Sequence, residues 1–138
     1  MKIQQISIFL ENATGRMAEV TRILKDGGIN LRAIMVADTA DFGILRIIAD
    51  NPEKAIEILH NANFTTKTTS VLAVTVRDEV GSLASVLGIF EKNGINIEYL
   101  YAALNVKSET AVIIFKVEDV EKGMRVVEEN GLSSGAGF

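Results

Sequence analysis

Two short stretches of this chain carry the residue types needed to hold a zwitterion. Asn12-Ala13-Thr14-Gly15 precedes Gly28-Ile29-Asn30, and Asp78-Glu79-Val80-Gly81 precedes Gly94-Ile95-Asn96. In both, an alternating apolar run breaks and a helical pattern begins. The N–H groups of a first helical turn have no partner inside the helix and carry partial positive charge, so they suit a carboxylate. Gly15 and Gly81 would let a ligand come close to that backbone. The amides of Asn12 and Asn30 offer oxygen to an ammonium group and N–H to a carboxylate. An α-amino acid presents both groups. The second stretch keeps Asn96 but has Asp78 at the first position, where its charge would repel a carboxylate; the first stretch is therefore the expected better site. Structural roles compete for the same residues. The glycines could only permit a tight turn, Asn12, Thr14 or Asp78 could cap a helix, and Asn30 and Asn96 could satisfy backbone at a strand start.

Other chemistry has little material. Cysteine is absent, which removes disulfides, thiolate metal sites and cysteine nucleophiles together. The one histidine, His60, falls near a helix end, where it suits the dipole and is assigned no chemistry. No nucleophile–base pair is visible, so neither an enzyme nor a metal or cofactor is expected. Lys and Arg number 14 against 18 Asp and Glu, a net charge of −4. That balance argues against nucleic acid and against an anionic membrane surface. Phe42-Gly43-Ile44-Leu45 resembles an aromatic RNA-binding strand, but the flanking basic and second aromatic residues are missing. No run of about 18 apolar residues could span a bilayer, and Met1-Lys2-Ile3-Gln4-Gln5 has no apolar leader core, so a cytoplasmic location is expected.

The two stretches belong to a repeat that runs through the chain. Gly15 and Gly81 lie 66 residues apart, as do Gly28-Ile29-Asn30 and Gly94-Ile95-Asn96. At this offset Ala18 matches Ala84, Val20 matches Val86 and Ile23 matches Ile89; Met17 falls on Leu83 and Leu24 on Phe90. The later halves align at an offset of 68, which places two extra residues in a loop around Asn105–Glu109. Within the first copy, Ile6, Ile8 and Leu10 alternate with Gln5, Ser7 and Glu11, the period of a half-buried strand. Met17, Val20, Ile23 and Leu24 follow helical spacing, and Gly27-Gly28 stops that helix. Ile29–Ala37 and Phe42–Ala49 read as strands around a turn at Asp38–Asp41. Pro52 opens a second helix. Thr65–Thr69 reads as a short polar edge strand. The second copy repeats the plan with a strand through Leu72, Val74 and Val76, a helix through Leu83, Val86, Ile89 and Phe90, strands at Ile95–Leu104 and Ala111–Val117, and a helix at Val120–Glu129. Its tail, Leu132–Phe138, is too rich in Gly and Ser for a clear fourth strand, so that copy is expected either to be incomplete or to have its edge covered by another part of the assembly.

The order is βαββαβ twice. It defines an α+β chain of two ferredoxin-like repeats, residues 1–68 and 69–138, each an antiparallel sheet with helices on one face. The other face also reads as apolar, through Phe9, Ile34, Val36 and Ile44 in the first copy and Ala73, Leu100, Val112 and Ile114 in the second. Its burial predicts a homodimer packed sheet to sheet. Arg32 and Glu98, at equivalent positions, read as solvated surface.

The pattern of strand, Asn-x-x-Gly, amphipathic helix, Gly-Ile-Asn and strand resembles the ACT domain, and it does so twice over residues 3–132. The resemblance implies a stand-alone tandem of ferredoxin-like regulatory modules that bind an amino acid and act on a metabolic enzyme in trans. It places Asn12, Ala13, Thr14, Gly15, Arg16, Met17 and Asn30 at the ligand in the first copy, and Asp78, Glu79, Val80, Gly81, Ser82, Leu83 and Asn96 in the second. Thr14 and Val80 stand where the family often has proline. The competing functional expectation is a ligand-free interaction module that dimerises through its sheets.

Overall fold

The computed structural model describes residues 1–38, 42–104 and 109–134. Residues 39–41 of the expected turn, 105–108 of the expected loop insertion and 135–138 of the tail lie outside the described residues. The chain divides into two compact units, one of Gln4–Thr69 and one of Met1–Ile3 with Ser70–Phe138.

The first unit is built from β1 (Lys2–Glu11), α1 (Arg16–Asp26), β2 (Leu31–Asp38), β3 (Phe42–Ala49), α2 (Pro52–Asn61) and the opening residues of β4 (Thr65–Arg77). Its strands are ordered β2-β3-β1-β4. Ile8 faces Leu45 and Ile6 faces Ile47 across the antiparallel β1–β3 pair. Those four residues, with Val20, Leu24, Ala55, Leu59 and Phe64, form a core between the sheet and its two helices. Pro52 sits in the first turn of α2 as expected, behind an Asn51 cap.

Two features of this unit depart from the sequence expectation. Thr65–Thr69 is not a separate short strand, because β4 continues without a break through Leu72, Val74 and Val76 to Arg77. In addition, the β2–β3 register shifts between Leu31 and Ala33. That bulge inverts the parity of β2, since an extra residue in one strand turns every later side chain to the opposite face. Ile34 therefore pairs with Ile47, and Val36 with Leu45, on the helix-covered face and not on the far one.

The second unit holds the rest of β4, α3 (Ser82–Lys92), β5 (Ile97–Ala102), β6 (Thr110–Val117), α4 (Val120–Glu129) and the two-residue β7 (Ser133–Ser134). Leu72, Val74, Val86, Phe90, Phe115 and Val127 form its core. Phe90 and Phe115 meet edge to face at 5.2 Å. A second register shift, between Ile97 and Tyr99, repeats the bulge of the first unit and brings Leu100 opposite Phe115 on the core side. Ala73, Val112 and Ile114 are already buried within the single chain. Of the apolar face expected to meet a second copy, Phe9, with Ile44 opposite it, remains accessible, and Phe42 adds to it. Gln5 and Ser7, expected on a wet face, are buried.

The weak fourth strand of the second copy is replaced from within the chain. The Ala73 N–H donates to the Met1 carbonyl at 2.9 Å, and the Met1 amine donates to the Ala73 carbonyl at 3.2 Å. The short β7 pairs with the next residues of β4, Val74 and Thr75. Lys2 Nζ reaches Glu121 Oε1 at 2.7 Å. The first residues of the chain thus serve the second unit.

Candidate functional site

The loop between β1 and α1 is shaped by backbone bonds. Ala13 N–H donates to the Glu11 carbonyl at 2.9 Å, and Arg16 N–H to the Ala13 carbonyl at 3.3 Å. Gly15 stands at the N-cap with φ 87°, in the left-handed region where a side chain would be strained. A glycine has no side chain with which to cap, and no side-chain bond closes the start of α1. The loop before α3 is the same: Gly81 is the N-cap at φ 90°, again without a side-chain bond. The other two helices differ. Asn51 accepts from Lys54 N–H at 3.1 Å, and Asp119 from Lys122 N–H at 3.0 Å. Asn12, Thr14 and Asp78 are therefore not the caps of the helices that follow them. The N–H groups that open α1 stay free of side-chain oxygen, and nothing lies within 4 Å of a Cβ built on Gly15.

Beside this loop is a cavity of about 150 Å³ lined by Leu10, Glu11, Asn12, Ala13, Arg16 and Met17 and by Val36, Gly43 and Leu45 of the facing strands. The bulge in β2 is what turns Val36 toward it. Arg16 is held in place: its Nη1 pairs with Glu19 Oε2 at 2.7 Å, and its guanidinium carbon lies 5.2 Å from the Phe64 ring centre. Its Nε is buried without a hydrogen-bond partner.

Asn12, Ala13, Arg16 and Met17 line this one cavity, while Thr14 and Gly15, expected beside them, are not part of its lining. Asn30 does not join them. Its N–H donates to Asp50 Oδ1 at 3.1 Å, and its carbonyl accepts from Asp50 N–H at 3.0 Å, just beyond the C-terminal end of β3. Asn12 follows Glu11, which pairs with Phe42 at the other end of β3. Those ends are seven residues apart, about 24 Å at the rise of an antiparallel strand. No small molecule bridges Asn12 and Asn30 of this unit. The lining residues Leu10, Glu11, Val36, Gly43 and Leu45 were not singled out from the sequence. Gly43 carried a signal, since an isolated glycine inside a strand pattern marks a bulge or a close approach.

In the second unit the Asp78–Leu83 segment keeps the same backbone turn, with Glu79 N–H to the Arg77 carbonyl at 2.9 Å and Ser82 N–H to the Glu79 carbonyl at 3.3 Å. Val80 is fully exposed and Leu83 partly so. Asn96 lies elsewhere, lining a cavity of about 240 Å³ with Gly94, Ile95, Glu118, Asp119 and Lys122. Among the described residues no cluster of His, Asp and Glu could hold a metal ion, and no helix is long and apolar enough to cross a membrane. Glu98 pairs with Lys116 at 2.6 Å and His60 Nε2 lies 2.9 Å from Thr66 Oγ1.

Two ferredoxin-like units, each with a glycine-capped first helix, define a tandem ferredoxin-like α+β fold. The chain belongs to the ACT domain pair family, whose model matches residues 1–136. It is similar to protein BT0572 from Bacteroides thetaiotaomicron, at 37% identity and a TM-score of 0.91, over 96% of this chain and 91% of that one. The regulatory subunit of aspartate kinase from Thermus thermophilus, in ligand-free form, shares the fold at 20% identity and a TM-score of 0.64, over 91% of each chain. The corresponding subunit from Thermus flavus does so at 19% identity and 0.62, over 91% of this chain and 90% of that one. No curated protein sequence matches the chain.

Proposed function

We propose that this chain is an amino-acid-binding regulatory module whose ligand sits at the β1–α1 loop of the first unit and whose bound state is passed to a metabolic enzyme in trans. The observation that carries this reading is the start of α1: a left-handed Gly15 cap leaves the first-turn N–H groups without a side-chain partner, at the mouth of a cavity of amino-acid size. A carboxylate fits those donors. Glu11 and Asn12, which line the same cavity, supply oxygen for the ammonium group. The fold neighbours from Thermus are named as regulatory subunits of a kinase, which supports a regulatory role for a chain of the same architecture. Asn30 then serves as a backbone anchor through its two bonds to Asp50.

The test is a thermal-shift screen of the purified chain against the common amino acids. A ligand at 100 times its dissociation constant adds about 2.7 kcal/mol to stability, a clear rise in Tm. No shift with any of them would remove the ligand from the proposal and leave an interaction module.

A further inference from the structure

Where β4 runs into α3, the second unit repeats the backbone turn of the first but carries a different surface. At the 66-residue offset Val80 stands where Thr14 does, Asp78 where Asn12 does and Ser82 where Arg16 does. Val80 is fully exposed, and Leu83, in the first turn of α3, is 37% exposed. Leu104, two residues past β5, is 60% exposed. Ala103 N–H donates to the Val112 carbonyl at 2.9 Å. Leu104 therefore comes opposite Ala111, which itself pairs with Val76. Leu104 and Val76 are thus two strand spacings apart, about 10 Å. Acidic groups rim these apolar residues. Asp78 N–H donates to the Glu109 carbonyl at 2.9 Å, which sets the two residues side by side. Glu109 is held there at φ 71°, in the left-handed region that a non-glycine residue keeps only when its surroundings impose it. Glu79 is paired with Arg77 at 3.4 Å. Among the described residues neither Asp78 nor Glu109 has a cationic partner.

We infer that this surface receives a basic amphipathic helix of the regulated partner. This names the chemistry of the partner in trans and rests on that part of the proposed function. Single exposed apolar residues are ordinary on a protein surface. Val80, Leu83 and Leu104 instead stand together at one end of one sheet, and such a cluster with a polar rim marks an interaction surface. The charge of the partner follows from Asp78 and Glu109. Both carboxylates border the apolar residues without a cation from their own chain, so Lys or Arg from across an interface complements them and an acidic segment is repelled. The same charge turns away the carboxylate of a free amino acid. The shape follows from the spacing. About 10 Å is the rise of seven helical residues, so an apolar stripe with side chains at i and i+7 spans Leu104 and Val76. The first unit does not share this chemistry, because Asn12 and Thr14 replace Asp78 and Val80.

The probe is a fluorescently labelled model helix of about 14 residues, with Leu at i, i+3, i+4 and i+7 and Lys elsewhere. Its twin carries Glu in place of Lys. Anisotropy titration with the unaltered chain is expected to show binding of the Lys helix, weakened severalfold between about 0.05 M and about 0.5 M salt, and no binding of the Glu helix. Val80→Ser and Leu104→Ser, both at exposed positions outside the core, are each expected to weaken the Lys helix at least about fivefold. Asp78→Asn with Glu109→Gln is expected to weaken it as much at the lower salt and hardly at the higher. Glu91→Gln with Glu118→Gln makes the same change of charge beyond the far ends of α3 and β6 and is expected to leave binding as it was. An equal loss in that control would overturn the inference, since the attraction would then be the net charge of the chain and not this surface. No binding of the Lys helix would overturn it too. So would a fall in sedimentation mass on Val80→Ser, which would assign the surface to a second copy of the chain. None of these results bears on the amino-acid site, which the thermal-shift screen decides separately.

Discussion

Gly15→Val separates the backbone role of the loop from its binding role. The structure sets the stability term. Gly15 has φ 87°, and a β-branched residue held there costs about 1–3 kcal/mol. Nothing lies within 4 Å of the new Cβ, so no overlap adds to that strain. Against a total stability of about 5–15 kcal/mol, the variant stays folded with Tm lower by roughly 3–15 °C. Gly81→Val is the matched control, because its φ of 90° and open surroundings impose the same strain in the second unit. Binding should divide the two. The valine at position 15 projects into the space where a carboxylate meets the N–H groups of α1. Losing two hydrogen bonds to a charged group, each about 1.5–3 kcal/mol, weakens binding by roughly 10²–10⁴-fold. Calorimetric titration with the tightest amino acid of the screen, beside thermal melts of both variants, reads both terms. If both variants lose the expected Tm and Gly15→Val keeps its affinity, the carboxylate does not use this helix start and the proposed site is wrong.

Four further outcomes follow from the packing and the exposed surface. Gly88→Ala and Gly123→Ala should have opposite signs in urea unfolding: both gain about 1 kcal/mol of helix propensity, and Gly88 has open space, but a Cβ at Gly123 would lie 2.6 Å from Leu72 Cδ1 in the core, where overpacking costs about 1–3 kcal/mol. Removing Met1–Ile3 should destabilise the second unit by about 2 kcal/mol, because Ala73 loses two hydrogen bonds of about 1 kcal/mol each; unchanged hydrogen exchange at Ala73 would contradict the strand-replacement role. For the chain starting at Met1, burial lowers the amine below its ordinary 8.0 despite an opposing pull from Glu128, so the unfolded state holds the extra proton and the urea midpoint should rise as the pH climbs toward 8.0 and level off above it. Finally, a homodimer through the accessible Phe9, Ile44 and Phe42 face is expected, and Phe42→Ser should lower the sedimentation mass; a monomer in the unaltered chain at micromolar concentration would end that expectation.

Much of the architecture was legible in the sequence because it rests on local, periodic signals. The repeat offset, the helices opening at Pro52 and Val120, and the strand from Phe42 to Ala49 all follow from hydrophobic period and breaker residues, which act within a few positions. The glycine loops were equally visible, since only glycine takes a left-handed cap without strain. What the tertiary structure decided was pairing. Asn12 and Asn30 looked like one site because they flank the same helix, yet strand register sets them about 24 Å apart. The bulges after Leu31 and Ile97 leave no mark in the residue types, but each reverses which side chains face the helices. One of them brings Val36 to the cavity. Met1 at Ala73 is a contact across 72 positions, and no local pattern encodes it. Sequence period tells which face of a strand is apolar; only the assembled sheet tells what that face meets.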